Sequence, residues 1–283
     1  MIKILLLLFL LSTQIFALDH IKIKAKQTND IVKVKCLIPH PMINPRLAEV
    51  YTGKKENIHF ITHITAKVNG YIVYDASTSF NLAKDPLIEF NYTYEGRGDV
   101  LSIVAVDNKN EIFQGKTKIK DSLGTNKRLH SKLQNIQIID HRKLNPKVWK
   151  AKSIENAVVA LYGSVEPLER HITIEAKKKE EETYMLEDGV CIGGGWELPI
   201  YIQSDINITS FILLQDVNDY SATAVFDTTL GQKINYRVNT RLKKTGNIVV
   251  VAKGSDGLFY TARQKVYVIN ASHTDCYGDN VLD

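Results

Sequence analysis

The chain has 283 residues, 44% apolar and 24% charged, which is a globular composition with room for one large domain or two modest ones. Its net charge of +5 is spread along the sequence, and the densest basic run, Lys177-Lys178-Lys179, is followed at once by Glu180-Glu181-Glu182. That distribution argues against a nucleic-acid or anionic-membrane binder.

In chain order, MIKILLLLFLLSTQIFA supplies an early Lys3, an apolar run from Ile4 to Leu11, a polar break and the small Ala17. This is the order of a secretory signal and too short for a spanning helix, so residues 1–17 are read as a signal peptide cleaved near Ala17. No later apolar run is long enough to cross a bilayer, so the processed chain is expected to be exported with no membrane insertion. From Ile21 the pattern is short alternating runs: IKIKAK, DIVKVKCLI, HFITHITAKV, YIVYDAS, LIEFNYTY, VLSIVAVD and KTKIK. Period-two alternation rich in Val, Ile, Tyr and Phe specifies strands. Asn69-Gly70 marks a tight hairpin, and Gly96, Gly98 and Asp107-Asn108 mark further turns. Seven strands in about 100 residues is the spacing of an immunoglobulin-like sandwich, assigned to residues 18–118.

Residues 119–147 lose the alternation and read as a linker with a short helix near 127–135. Ile154, Ala157, Val158 and Leu161 then fall at helical spacing, which predicts a short helix ending at Gly163. The alternation resumes in RHITIEAK, LPIYIQS, TSFILLQD, ATAVFD, INYRVNTRLKK, NIVVVAKG, LFYTA and KVYVIN. A hairpin is expected from Tyr236–Asn239 through Thr245-Gly246-Asn247 into the buried run Ile248–Ala252. The fold class is therefore all-β, two immunoglobulin-like sandwiches joined by a linker, the second over residues 148–270 and followed by an arm over 271–283. The Lys-Glu run reads as a solvated surface segment, because Lys preceding Glu is the less favourable helical order.

Export makes three cysteines informative, since an oxidising compartment pairs thiols and leaves an odd one to explain. Val32, Val34, Cys36 and Ile38 alternate on one strand face, which places Cys36 in the core as a small hydrophobe. Cys191 lies in GVCIGGGWELP, read as an internal loop whose cysteine is an ordinary loop residue, a disulfide partner or a resolving thiol. His59 and His63 are four apart on a strand, hence on one face, where a surface pair or a partner contact is preferred to a metal site. His273-x-x-Cys276 beside Asp275 lacks a second ligand cluster at zinc spacing. No nucleotide, haem-attachment or nucleophile-elbow signature is present, so no cofactor, metal or catalytic residue is called.

Two sets of segments carry a family likeness. VKVKCLI running into His40-Pro41-Met42, FITHITAKVNGYIVYDA, AKDPLIEFNYTYEGRGDVL and VDNKNEIF resemble SoxZ over about residues 21–118, with Asp85-Pro86 where that family more often has Asn-Pro. SFILLQD, VFDTTLGQKINYRVNTRLKKTGNIVVVAKGSDGLFYTARQKVYV and a cysteine just past the last strand resemble SoxY over about 148–276. The resemblance implies a fusion of the two subunits of a periplasmic carrier from bacterial thiosulfate-oxidising systems, not an enzyme. In such a carrier a cysteine on a glycine-flanked terminal arm holds inorganic sulfur species covalently, while periplasmic haem- or metal-containing sulfur-oxidising enzymes act on them.

The corresponding position is Cys276. Its flanks, Ser272-His273-Thr274-Asp275 and Tyr277-Gly278-Asp279, keep one glycine where the family has four. Three readings of Cys276 stay open: the sulfur-bearing thiol, a disulfide with Cys191, and an inert thiol on a diverged tail. The alternative function is an accessory or binding module of another periplasmic oxidoreductase, without carrier activity.

Overall fold

The computed structural model describes residues 21–96, 98–121, 138–177, 183–186, 189–192 and 197–268. The segment read as an export signal, the helix expected at 127–135, the Lys-Glu run from Lys178 to Glu182 and the arm bearing Cys276 lie outside them. The first half forms β1 (Lys22–Thr28), β2 (Ile31–Leu37), β3 (Ile61–Val68), β4 (Tyr71–Thr78), β5 (Leu87–Thr93), β6 (Val100–Asp107), β7 (Ile112–Lys118) and β8 (Lys120–Asp121). The second forms β9 (Ile172–Ala176), β10 (Thr183–Leu186), β11 (Gly189–Ile192), β12 (Glu197–Ser204), β13 (Ile208–Gln215), β14 (Ala222–Gln232), β15 (Asn235–Arg241), β16 (Gly246–Gly254) and β17 (Phe259–Val268).

Alternation does what it predicts. In β2, Val32, Val34 and Cys36 are buried between exposed lysines. Asn69 (φ 50°) and Gly70 (φ 86°) both adopt the left-handed conformation a two-residue turn needs to match strand twist, and β3 pairs with β4 across it.

The architecture is all-β, two immunoglobulin-like sandwiches as expected, but their sheets run into one another. One sheet has the order β8-β1-β2-β5-β15-β12-β9 and the other β10-β11-β17-β16-β13-β14-β4-β3-β6-β7. The seams are β5 with β15, where Ile88 faces Val238, and β4 with β14, where Asp75 through Thr78 face Asp227 through Ala224. A single core cluster spans both halves, and Tyr74, Phe90, Phe211, Phe226 and Tyr236 meet inside it. Tyr74 stacks on Phe90 at 4.3 Å between ring centroids and Phe211 on Phe226 at 4.4 Å. Such pairs contribute about 0.5–1.5 kcal/mol each beyond the area they bury.

At the β4–β14 seam, Asp75 lies directly opposite Asp227, a juxtaposition that is destabilising on its own. Each carboxylate is matched to an imidazole: His63 Nε2 is 2.7 Å from Asp75 Oδ1, and His141 Nε2 is 2.8 Å from Asp227 Oδ2. The amide of Ile139 donates to the other oxygen of Asp75 at 3.0 Å, and that of His141 to Ser77 Oγ at 3.0 Å. The segment from residue 138 is thereby strapped across the seam.

Among the described residues, three α-helices decorate the sandwich. α1 (Pro45–Thr52) was not expected, although its signals are local: Asn44 Oδ1 accepts the Leu47 amide at 2.9 Å, Pro45 opens the first turn, and Gly53 (φ 72°) closes the last. α2 (His141–Leu144) lies within the expected linker. α3 (Ile154–Tyr162) is the expected short helix, capped by Ser153 and ended at Gly163. Its Ala157 and Val158, with Val148 and Trp149 of a preceding turn, pack on Ile212, Leu214, Val225, Val249 and Val251 on the outer face of the larger sheet.

Two further expectations are corrected. Asn235–Arg241 and Gly246–Gly254 do not form a hairpin, because β15 belongs to the smaller sheet and β16 to the larger, so residues 242–245 cross between sheets. LFYTA and KVYVIN are parts of one strand, β17, because no turn residue interrupts the run.

Candidate functional site

The three cysteines have separate fates. Cys36 is 1% exposed and burial pushes its thiol up to about 12, so it is a neutral core residue, as its alternation indicates. Cys191 is not on a loop: its backbone lies in β11, opposite Tyr184 of β10 and in parallel register with Tyr267 of β17. Three β-prone residues, Val190, Cys191 and Ile192, suffice for a short ladder once β17 offers an edge. Cys276 lies outside the described residues. What is described is the root of its arm: the Val268 amide, at the end of β17, donates to Thr245 Oγ1 at 3.2 Å.

The crossover that holds Thr245 also helps wall a cavity of about 370 Å³ at the junction of the halves. Arg46, Lys55, Arg241 and Lys243 line it against Glu49 and Asp219. Arg241 is held there from both sides, donating to Glu197 Oε1 at 2.8 Å and through Nη1 to the Met42 carbonyl at 2.7 Å.

The histidines group otherwise than their spacing suggests. An irregularity in the β3–β6 register between Ile61 and His63 breaks the alternation, so His59 and His63 enter different networks. His63 joins Asp75 at the seam, while His59 Nε2 lies 2.5 Å from Asp107 Oδ2. Neither is the surface pair expected. His40, which the sequence marks only as part of a motif, completes the second group: its ring is edge-on to His59 at 4.5 Å and its Nε2 is 3.5 Å from Asp107 Oδ2.

Burial, with the neighbouring His59, lowers the pKa of His40 to about 4 against the opposing pull of Asp107 and Asp85. Burial works against the charge of Asp107, yet His59 and the amides of Glu111 and Lys109 hold its carboxyl below the usual range. No signal within one segment finds this group, because β2, β3 and β6 must pack before its members meet.

Family models for the sulphur oxidation protein SoxZ and the sulfur oxidation protein SoxY match residues 21–118 and 193–271, in that order. The chain matches a SoxZ-then-SoxY fusion. These are families of sulfur-oxidation carriers. In the fusion, the SoxZ match spans β1 to β7 and the SoxY match begins just after β11, so both Cys191 and Cys276 stand outside the matched residues. Among solved structures, the sulfur carrier protein SoxY from Chlorobium limicola f thiosulfatophilum is similar at 25% identity, over 41% of this chain and 96% of that one, with a TM-score of 0.34. The central fibronectin-III array of RIM-binding protein is similar at 9% identity over 89% of this chain and 68% of that one, with a TM-score of 0.24. No match was found among curated proteins.

Proposed function

We propose that the fusion is an exported, periplasmic sulfur carrier in thiosulfate or related sulfur oxidation, with Cys276 as the covalent attachment point, and that it is acted on by separate enzymes. The observation that carries this reading is the ordered SoxZ and SoxY match, followed by a cysteine eight residues beyond the last strand. Eight extended residues reach about 26 Å, enough to present a thiol away from the body of the sandwich. A thiolate is the attacking and attached form of cysteine, so a carrier needs it exposed and ionisable, and of the three cysteines the buried Cys36 is unfit.

Cys191 is the proposed partner for a disulfide or a resolving role. Its backbone sits beside β17, the strand that leads into the arm, so a chain turning back from Val268 has the length to meet it. The second reading, an accessory module without carrier activity, draws on the arm itself, where Asp275 and Tyr277 flank the sulfur in place of glycine. An acid next to the thiol disfavours the thiolate, and bulk hinders entry into a narrow partner site.

The deciding measurement is intact mass of the exported protein purified from sulfur-oxidising cells, before and after reduction. A reducible sulfur adduct on the wild type that is absent from Cys276→Ser is expected. The same adduct on Cys276→Ser would move the attachment point elsewhere, and no adduct on either would favour the accessory module.

A further inference from the structure

Along the sequence the positive charge is scattered, but strand pairing collects part of it on one surface. On the outer face of the smaller sheet, Lys22, Lys24 and Lys26 of β1, Lys33 and Lys35 of β2 and Lys120 of β8 are all exposed. Lys24 lies directly opposite Lys35, and Lys26 pairs with Lys33 on one side and Lys120 on the other. Like charges opposed in this way destabilise a sheet. Among the described side chains of these strands and of β5, the one acid is Glu89, and it is already engaged. Its Oε1 takes Lys35 Nζ at 2.8 Å and Arg237 Nη1 at 3.1 Å. Lys22, Lys24, Lys26, Lys33 and Lys120 form no ion pair with any described residue.

Two ordinary explanations of this face fall short. Lysines blunt an exposed sheet edge, but β2 is an interior strand, paired with β1 on one side and β5 on the other. Solubility is served by charges of both signs interspersed and does not call for one sign gathered together. Strands stand about 4.8 Å apart, so the row Lys120, Lys26, Lys33 spans about 10 Å, comparable with the Debye length of about 8 Å at physiological salt. The fields of the three charges therefore add.

We propose that this lysine face docks an acidic protein surface, that of an enzyme acting on the carrier. The inference rests on the carrier reading in one respect, that separate enzymes engage the chain and leave it; the face itself does not contain Cys276. A surface of one sign steers an oppositely charged partner into fast, salt-sensitive contact, which suits a carrier that visits several enzymes. The face favours protein over other polyanions. Among the described residues, no large exposed apolar side chain lies on β1, β2, β5 or β8, so none is available to enter a lipid headgroup layer. A stacking platform for single-stranded nucleic acid is lacking as well, because Tyr201 of β12, on the same face, already has Arg237 and Lys177 over its ring at 5.3 and 5.5 Å.

The test uses the full chain carrying Cys276→Ser, so that docking is read with the attachment point removed and its failure is distinct from failure of the sulfur adduct. The first probe is poly-L-glutamate, with association followed by stopped flow at about 0.02 and 0.15 M salt. Lys24→Gln, Lys26→Gln, Lys33→Gln and Lys120→Gln together should slow association by about 10-fold at low salt and flatten its salt dependence. The same change at Lys54, Lys109, Lys152 and Lys253, exposed outside this face, should leave both as in the parent. The second measurement is carbodiimide coupling in the exported fraction of sulfur-oxidising cells, which joins lysine amines to carboxylates in contact. Peptide mass should find amide bonds from the face lysines to Asp or Glu of a second protein, and that protein, once purified, should show the same order of rates across the variants. Equal slowing in the control set, or no cross-link from the face lysines, would overturn the proposal. So would face-dependent binding of phosphatidylglycerol vesicles or single-stranded DNA without such a cross-link.

Discussion

At the scale of single residues, chemistry is decided by what surrounds a side chain. Cys36 is the clearest case, because its lysine-flanked alternation on β2 makes it a core residue and its raised pKa makes it a poor nucleophile. Alkylation of the native protein at pH 8, read by peptide mass, should leave Cys36 unmodified, and modification should appear once the chain is unfolded. Labelling at native conditions would contradict the burial. His40, His59 and Asp107 show the opposite limit of legibility. They are separated by 19 and 48 positions, and no local pattern states that they meet. The pairing of Asp75 with His63 and of Asp227 with His141 is equally long-range, a consequence of a seam register that no single strand encodes.

At the scale of elements, strands were legible because side-chain alternation is a local property with a strong physical cause, burial of one face. Turns were legible where backbone sterics demand particular residues. Gly70 at φ 86° has open space around an added Cβ, so the cost of a side chain there is conformational alone. Gly70→Val should destabilise the protein by about 1–2 kcal/mol, seen as a lower denaturant midpoint with unchanged slope. Less legible were elements that depend on a neighbour. β10 and β11 are short strands whose ladder exists because β17 offers an edge, and Cys191 is drawn out of a loop by that pairing. α1 had sufficient local signals in Asn44, Pro45 and Gly53, but it is only two turns long and its periodicity is weak beside the strands on either side.

At the scale of the whole molecule, the halves share both sheets and one core, which composition and periodicity do not disclose because they say nothing about which strand edges meet. The shared core predicts cooperativity. Calorimetry should show one unfolding transition for the full chain, and two separated transitions would mean the halves melt independently. Phe226→Ala, which removes a ring stacked on Phe211 beside Tyr74 at the junction, should cost about 3–5 kcal/mol and lower that one transition without splitting it.

The continuous sheets also bear on how the chain is made. β4 and β5 lie within sheets only because β14 and β15 cover their outer sides, so a nascent first half presents two unpaired edges until the second half has been synthesised. At synthesis rates of about 5–20 residues per second, that interval lasts on the order of ten seconds. During it the first half is open to pairing with another copy of itself, and carrying both halves on one polypeptide keeps the proper partner always at hand.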